Sequence, residues 1–289
     1  MCVLVHIYSM TYYIEKWENL PITNDYIFCK IFEDAELCKE MIEILLDIKI
    51  DHVKFPESQK HLKSSFLSKS IRLDVFVQDE ERVFDVEIQV ASRPDLALRT
   101  RYYHSNMDTS LLQSGMVYSD LKESYVIFLC LFDPIGNGLP VYDFATVEKS
   151  HPDIILNDKR HTILYNVLEF EKLEKSEKKF FLECLAKQNA HSDFSKKVLD
   201  RFTSVKYDTN WRKDYMTYEM KMLEVARDAR EVALAEGISV GREQGISIGR
   251  AEERHTRNIE IARNLQNMNM SNTDIAKATG LSLEEVKAL

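Results

Sequence analysis

Residues 70–90 read SIRLDVFVQDEERVFDVEIQV, and within them two runs of alternating apolar residues flank the polar segment 78–81. This pattern predicts a β-hairpin, because a strand with one buried face alternates apolar and polar residues. The same period of two places Asp85, Glu87 and Gln89 on one face of the second strand. With the turn centred between residues 79 and 80, we expect Asp74 to lie opposite Asp85. Glu87 then lies on the diagonal, roughly 7–8 Å away between Cα atoms.

This acidic face has two interpretations. The simpler one is that the acids form the solvent-exposed side of an antiparallel hairpin whose other side packs on a core. The second is that two carboxylates and an amide converge on a functional site. The hairpin alone does not choose between them.

Composition excludes several classes of protein. The 289 residues are 45% hydrophobic and 29% charged, and no apolar run approaches the roughly 20 residues of a membrane span, so we expect a soluble, cytoplasmic protein. The five cysteines are widely spaced, without a disulfide framework or zinc spacing. A net charge of −9 argues against a large sequence-independent nucleic-acid surface. The first ten residues lack a basic signal-peptide leader, and Met10 is an alternative start.

The rest of the chain mixes helical and strand patterns. Apolar spacings of three and four predict a helical pair in 17–50 and a helix over 94–112. The unbroken apolar run at 124–132 predicts a central strand buried on both faces. An edge strand at 139–144, a strand at 163–168 and an amphipathic helix in 169–188 follow. We therefore expect an α/β fold, with a mixed central sheet flanked by helices and a C-terminal α-helical extension.

Candidate auxiliary residues lie on the two helices that flank the hairpin in sequence. Asp25 follows the capping residue Asn24, so its simplest role is that of a first-turn acid favoured by the helix dipole. Alternatively, Asp25 or Lys30 faces the acids of the hairpin. On the second helix, polar and aromatic side chains at helical spacing suit a wall of a phosphate-binding cleft: Arg99, Tyr103 and Asn106, and also Arg101 and His104. The ordinary alternative is that the tyrosines pack on the sheet while the arginines point to water.

Residues 51–69 form a basic approach to the hairpin. They are polar around Pro56 and include two histidines and four lysines. We expect an irregular segment, which is either a solvated loop or a surface that steers phosphate groups.

Several motifs, spaced in a consistent order, resemble the PD-(D/E)XK nuclease family transposases, a group related to the recombination-promoting nucleases. The hairpin has the D…ExQ form of the motif, in which Gln89 replaces the usual lysine, and the similarity covers roughly half the chain. The similar segments are residues 17–33, IRLDV at 71–75, VEIQ at 86–89, RYYHSNMD at 101–108, SGMVYSDL at 114–121 and VIFLCLFDPIGNGLPVYDF at 126–144. The resemblance implies a restriction-endonuclease-like core and metal-dependent hydrolysis of DNA.

The resemblance also implies roles for individual residues. Asp74 and Glu87 would be the ligands of Mg²⁺ or Mn²⁺, since hard divalent cations prefer carboxylate oxygens. Gln89 would position the attacking water through hydrogen bonds, but an uncharged amide neither offsets developing charge nor acts as a general base. Most of the chemistry would then rest on the metal, and Asp85 could assist as a further carboxylate.

The C-terminal part is predicted to be helical. Gly237, Gly241, Gly245 and Gly249 recur every four residues within the helix-forming stretch 211–257. Each glycine costs about 1 kcal/mol relative to alanine in a helix interior, so the stripe favours close approach of a second copy or of the core over a flexible linker. The final segment carries two serine capping boxes around a glycine turn and resembles a helix-turn-helix. Its last helix holds one lysine and two glutamates, so base reading is not expected.

These observations predict four regions: a nuclease-like domain at 1–170, a helical connector at 171–210, a glycine-striped helix at 211–257 and a small tail at 258–289. The first functional hypothesis is a Mg²⁺-dependent DNA endonuclease of mobile elements or recombination, forming a homo-oligomer through 211–257. The alternative is a catalytically silent nuclease-fold module that acts in oligomerisation or DNA binding. No Gly-rich phosphate loop or serine-hydrolase elbow is present to support another enzyme class.

Overall fold

The computed structural model describes residues 16–62 and 71–289, and of 54–62 and 71–73 it describes the backbone alone. The alternative start at Met10 and most side chains of the basic segment 51–69 therefore lie outside the described residues. By its internal contacts the chain divides into two compact units, Met1–Met216 and Thr217–Leu289. Residues 171–210 belong to the first unit.

A single mixed sheet forms the centre of the first unit. Its strand order is β1-β2-β3-β4-β6-β5. The hairpin pair β2 and β3 is antiparallel, whereas β3, β4 and β6 run parallel to one another. The strands are β1 (Lys54–Leu62), β2 (Ile71–Gln78), β3 (Arg82–Gln89), β4 (Glu123–Cys130), β5 (Val141–Phe144) and β6 (Arg160–Asn166).

The helices follow the predicted pattern. Those described in the first unit are α1 (Asp25–Phe32), α2 (Ala35–Leu46), α3 (Leu96–Leu111), α4 (Glu177–Lys187) and α5 (Asp193–Tyr207), and short 3₁₀ turns lie at Tyr118–Asp120 and Val167–Lys172. Side chains that accept backbone N–H groups start α1, α2, α4 and α5, namely Asn24, Asp34, Ser176 and Ser192. Such caps satisfy N–H groups that have no partner within the helix. The predicted α/β fold is confirmed.

The central strand β4 is buried because elements pack on both faces of the sheet. It lies between β3 and β6, and all of 126–130 is buried, as the unbroken apolar run predicted. Helix α1 contacts β1, β2 and β3, and α3 contacts β4. On the α3 side, Tyr103 and Met107 join a core cluster with Phe76 and Phe128. The polar face of the hairpin therefore lies beneath a helix.

Two local predictions are wrong. The segment around Pro56 is not irregular but forms the edge strand β1, with a register shift between Lys54 and Glu57. An edge position and a bulge are where a proline, which lacks an N–H donor, fits in a sheet. The hairpin is also displaced by two residues, because Asp85 pairs with Phe76. The Asp79 carboxylate sets this turn by accepting the N–H groups of Glu81 and Arg82.

A 59-residue helix, α6 (Thr209–Asn267), leads into the second unit. It begins in the first unit, where Tyr215 packs against Trp17 and Tyr26. The helix is continuous through all four striped glycines, and a Cβ atom built at any of them would meet no atom within 4 Å. Within the described chain, then, no neighbouring backbone occupies the stripe.

The tail packs on the end of α6. Ile275 of α7 (Asn272–Thr279) and Val286 of α8 (Leu283–Lys287) form a buried cluster with Ala262. Ser271 and Ser282 cap the two short helices as expected. None of the described helices combines the length and apolar character needed to cross a membrane.

Candidate active site

Asp74 and Glu87 lie side by side at the end of the hairpin ladder. The last regular pair of the ladder is Val75 with Val86. Beyond it, the carboxylates replace the backbone acceptors: the Asp74 N–H donates to Glu87 Oε1 at 3.0 Å, and the Ile88 N–H donates to Asp74 Oδ2 at 3.2 Å. The two-residue change of register keeps Asp74, Asp85, Glu87 and Gln89 on their predicted shared face but brings Asp74 to Glu87 instead of Asp85. Each carboxylate is thus held by the backbone of the opposite strand.

The acidic face is buried, which contradicts the interpretation of these residues as the solvated side of the hairpin. Asp74 is 5% exposed, Glu87 is 2% exposed and Asp85 is fully buried. These acids are buried because helix α3 packs on this face of the sheet. Burying charged groups is costly unless they find partners, so their partners are the key to the site.

Asp85 has no hydrogen-bond partner on either carboxyl oxygen among the described residues. In the sheet it lies between Phe76 of β2 and Val126 of β4. Burial, followed by the nearby charge of Asp74, raises the pKa of Asp85 well above its usual value, and Arg99 opposes this shift. Asp85 therefore adds a second buried acid two residues before Glu87. The charged form of Asp85 is disfavoured.

Arg99 of α3 places a positive charge against Glu87. Its guanidinium donates to Glu87 Oε2 at 3.2 Å, to Gln89 Oε1 at 2.8 Å and to the Tyr103 hydroxyl at 2.7 Å. It also lies 5.4 Å from the ring centroids of both Tyr103 and Phe128. Hydrogen bonds and aromatic rings thus fix the guanidinium in one place.

Gln89 therefore has a charged neighbour, Arg99. Its amide nitrogen donates to the carbonyl of Ile88 at 3.1 Å, and its amide oxygen accepts from Arg99. The positive charge that glutamine lacks is supplied from a different element, ten residues further along the chain. The sequence pattern placed Arg99 on a cleft wall, through its helical spacing with Tyr103, but had no means of bringing it to Gln89.

The pKa of Glu87 is also raised well above its usual value. Burial is the main cause, and the charges of Asp74 and Asp85 add to it. The Asp74 N–H and Arg99 act in the opposite direction. Desolvation and repulsion outweigh these two favourable contacts, so the charged form of Glu87 is disfavoured.

Of the two auxiliary candidates on α1, one lines the cleft and the other does not. Asp25 lines the same cleft, of about 500 Å³, as Asp74, Glu87 and Gln89. Lys30 does not line this cleft, and its ammonium contacts Glu33 at 2.6 Å. Lys30 lies five residues after Asp25 and therefore about 140° around the axis of α1 from it, away from the wall that Asp25 occupies.

Of the two auxiliary candidates on α3, Tyr103 lies at the site and Arg101 does not. Tyr103 is buried beside Arg99, and burial, with the charge of Glu87 nearby, raises the pKa of its phenol. Arg101 is exposed and lines a different cavity. Because successive residues of a helix point about 100° apart, Arg99 and Arg101 face different sides of α3.

The donor atoms of the cleft suit a hard divalent cation. Asp74 and Glu87 present carboxylate oxygens, which Mg²⁺ prefers, and both oxygens of the buried Asp85 are without a hydrogen-bond partner among the described residues. In the described part of the chain, no three His, Cys, Asp or Glu side chains are already grouped around a metal position. Both oxygens of Glu87 already accept hydrogen bonds, Oε1 from the Asp74 N–H and Oε2 from Arg99.

The fold and the site together define a class of protein: an α/β domain whose mixed sheet carries a D…ExQ carboxylate site on a hairpin beneath a helix. Residues 22–233 match the PD-(D/E)XK nuclease family transposases, and the chain belongs to this family. The family comprises nuclease-type enzymes that act on DNA. No curated protein and no solved structure matches the chain.

Proposed function

We propose that this protein is a DNA endonuclease of mobile elements or recombination that hydrolyses phosphodiester bonds with Mg²⁺ or Mn²⁺. The observation that carries the proposal is the pairing of Asp74 with Glu87 on the wall of an open cleft, next to the fixed guanidinium of Arg99. A carboxylate pair can hold a divalent cation, and an adjacent cation can contact a phosphate oxygen. Both stabilise the negative charge that develops on the phosphate oxygens during hydrolysis.

Asp74 and Glu87 would hold the metal. When bound, the metal lowers the pKa of water and stabilises negative charge on the phosphate. Gln89 positions the attacking water, through an amide that its bonds to Arg99 and Ile88 hold in place. Arg99 provides a permanent positive charge where the phosphate oxygens become more negative in the transition state.

Asp25 has an auxiliary role in this proposal. It is a third carboxylate on the wall of the cleft, and it belongs to α1, whereas Arg99 belongs to α3. Its position suits an outer contact to the metal or to its water. Asp25→Asn is expected to weaken metal-dependent cleavage, whereas Lys30→Ala, whose charge pairs with Glu33, leaves it unchanged.

Nicking of supercoiled plasmid DNA with Mg²⁺ or Mn²⁺ tests the proposal. Asp74→Ala and Glu87→Ala are expected to abolish nicking while the protein remains folded by circular dichroism. Asp153→Ala is the matched control, because Asp153 is an exposed loop aspartate. Nicking by both folded site variants at the wild-type rate would reject these residues as the site.

A silent oligomeric module is the second candidate, and α6 favours it. Apolar side chains of this helix are exposed along its length in the second unit, including Leu234, Ile238 and Ile248. We assign this surface, over 211–257, to association with a second copy of the chain. Calorimetric titration of Mn²⁺ separates the two candidates, since a silent module takes up no Mn²⁺ that depends on Asp74.

The cytoplasm is the compartment that fits best. Cys29, Cys38, Cys130 and Cys184 are free and buried. Reduced thiols are the usual state in the cytoplasm. Labelling of thiols in freshly lysed cells under denaturing conditions tests this assignment.

A further inference from the structure

A second cavity, of about 530 Å³, opens beside the acidic cleft. Helix α3 separates the two, with Arg99 on the cleft side and Thr100, Arg101 and His104 on the cavity side. Strands β5 and β6 form the other wall. Arg93, in the loop before α3, lines both the cleft and the cavity. A chain bound in the cleft could therefore continue into the cavity past Arg93.

The cavity is positively charged. Three arginines line it, Arg93, Arg101 and Arg160, and no aspartate or glutamate does, although the whole chain has a net charge of −9. Arg160 is held on the wall by Thr146, to which it donates at 3.0 Å, and Asp158 at 3.5 Å offsets part of its charge. Arg93 and Arg101 are both exposed. Such a concentration of guanidinium groups favours a phosphate ligand.

The same cavity has an apolar side with an aromatic ring. Phe144 at the end of β5 is 44% exposed and Ile135 is 45% exposed, and both line the cavity. His104 adds no charge to the wall. Its ring lies between the hydroxyls of Ser124 and Thr162, and burial, with Arg160 nearby, lowers its pKa to about 3. An exposed aromatic ring among arginines is the combination that binds a nucleobase together with its phosphate.

We propose that this cavity binds one nucleotide of the DNA strand that is cut, with its base on Phe144 and its phosphate at Arg93 and Arg101. The inference rests on the proposed nuclease function and adds where the strand runs after the cleft. A strand is favoured over a free nucleotide because Arg93 belongs to both sites.

Binding without catalysis tests the cavity separately from cleavage. Fluorescence anisotropy of a labelled single-stranded 12-mer is measured with the full chain in EDTA, over a range of salt concentrations, together with the same oligonucleotide made abasic. Arg101→Gln is expected to reduce the slope of log affinity against log salt by roughly 0.7. Phe144→Ala is expected to weaken binding of the normal strand about tenfold and of the abasic strand much less. Lys175→Gln is the control, since Lys175 is exposed and lines neither site.

The outcomes are distinct. If both cavity variants bind the strand as the wild type and Lys175→Gln do, the cavity does not hold DNA. Displacement of the strand by free dAMP at the strand's own affinity would also overturn the proposal, in favour of a free nucleotide ligand. Loss of binding in the cavity variants of a protein that never cleaves DNA would support the cavity while rejecting the nuclease function.

Discussion

Arg99 is predicted to be the residue on which the stability of the acidic site depends. Its side chain is 21% exposed and that of Glu87 only 3%, so replacing Arg99 with methionine leaves a buried acid beside Asp74 and Asp85 without its cation. Removing one partner of a buried charge pair costs about 3–5 kcal/mol when the remaining group stays charged. Because Glu87 keeps its hydrogen bond from the Asp74 N–H, we expect a loss of about 2–4 kcal/mol at pH 7.5.

A double-mutant cycle with Glu87→Gln isolates this interaction. Glu87→Gln alone is expected to be neutral or stabilising in EDTA, since it removes one acid from a repulsive group. In that background Arg99→Met should cost only about 1 kcal/mol, which gives a coupling energy of roughly 1–3 kcal/mol. Urea unfolding followed by circular dichroism measures all four proteins. Arg101→Met, two residues away on the exposed side of α3, is the matched control and should stay within about 0.5 kcal/mol of wild type.

The same residue provides a catalytic readout. Arg99→Met is expected to reduce the nicking rate by about 10²–10³, the cost of removing one preorganised donor. Arg99→Lys should recover part of the rate, because it restores the charge but not the planar fork. A coupling energy below about 0.5 kcal/mol, or full activity in Arg99→Met, would refute the role given to Arg99.

Three further predictions concern the buried acid, the metal and the long helix. The pKa of Asp85 is raised on folding, so the unfolded chain loses this proton first, and stability in EDTA should fall as pH rises above about 4. Asp85→Asn should flatten that slope at pH values above about 4 in urea unfolding, and an unchanged slope would contradict the assignment. Mn²⁺ at 100 times its Kd should stabilise the wild type by about 2.7 kcal/mol and Asp74→Ala not at all, as measured by thermal unfolding. If α6 associates with a second copy as proposed, Gly241→Leu with Gly245→Leu should lower the mass found by light scattering while helicity is kept, and an unchanged mass would exclude close packing at the stripe.

Much of the site was predictable because its information is local. Alternation over 71–90 placed Asp74, Asp85, Glu87 and Gln89 on one face, and the observed two-residue change of register leaves that assignment intact. A shift by an even number of residues preserves the face of every side chain but changes its partner. The cross-strand partner of Asp74 was predicted wrongly because the Asp79 carboxylate organises the turn. Apolar periodicity does not encode this contact.

The amino-acid sequence by itself determined strands β2 to β6, most of the helices, the caps at Asn24, Ser271 and Ser282, and which acids share a face, because backbone periodicity and capping depend on near neighbours. Only the tertiary structure decided that helix α3 buries those acids, that Asp74 meets Glu87, and that Arg99 reaches Gln89 while Arg101 lines another cavity. It also showed that the segment around Pro56 is an edge strand. These features depend on how separate elements pack. Packing brings together residues that are far apart along the chain, and local sequence patterns do not encode such contacts.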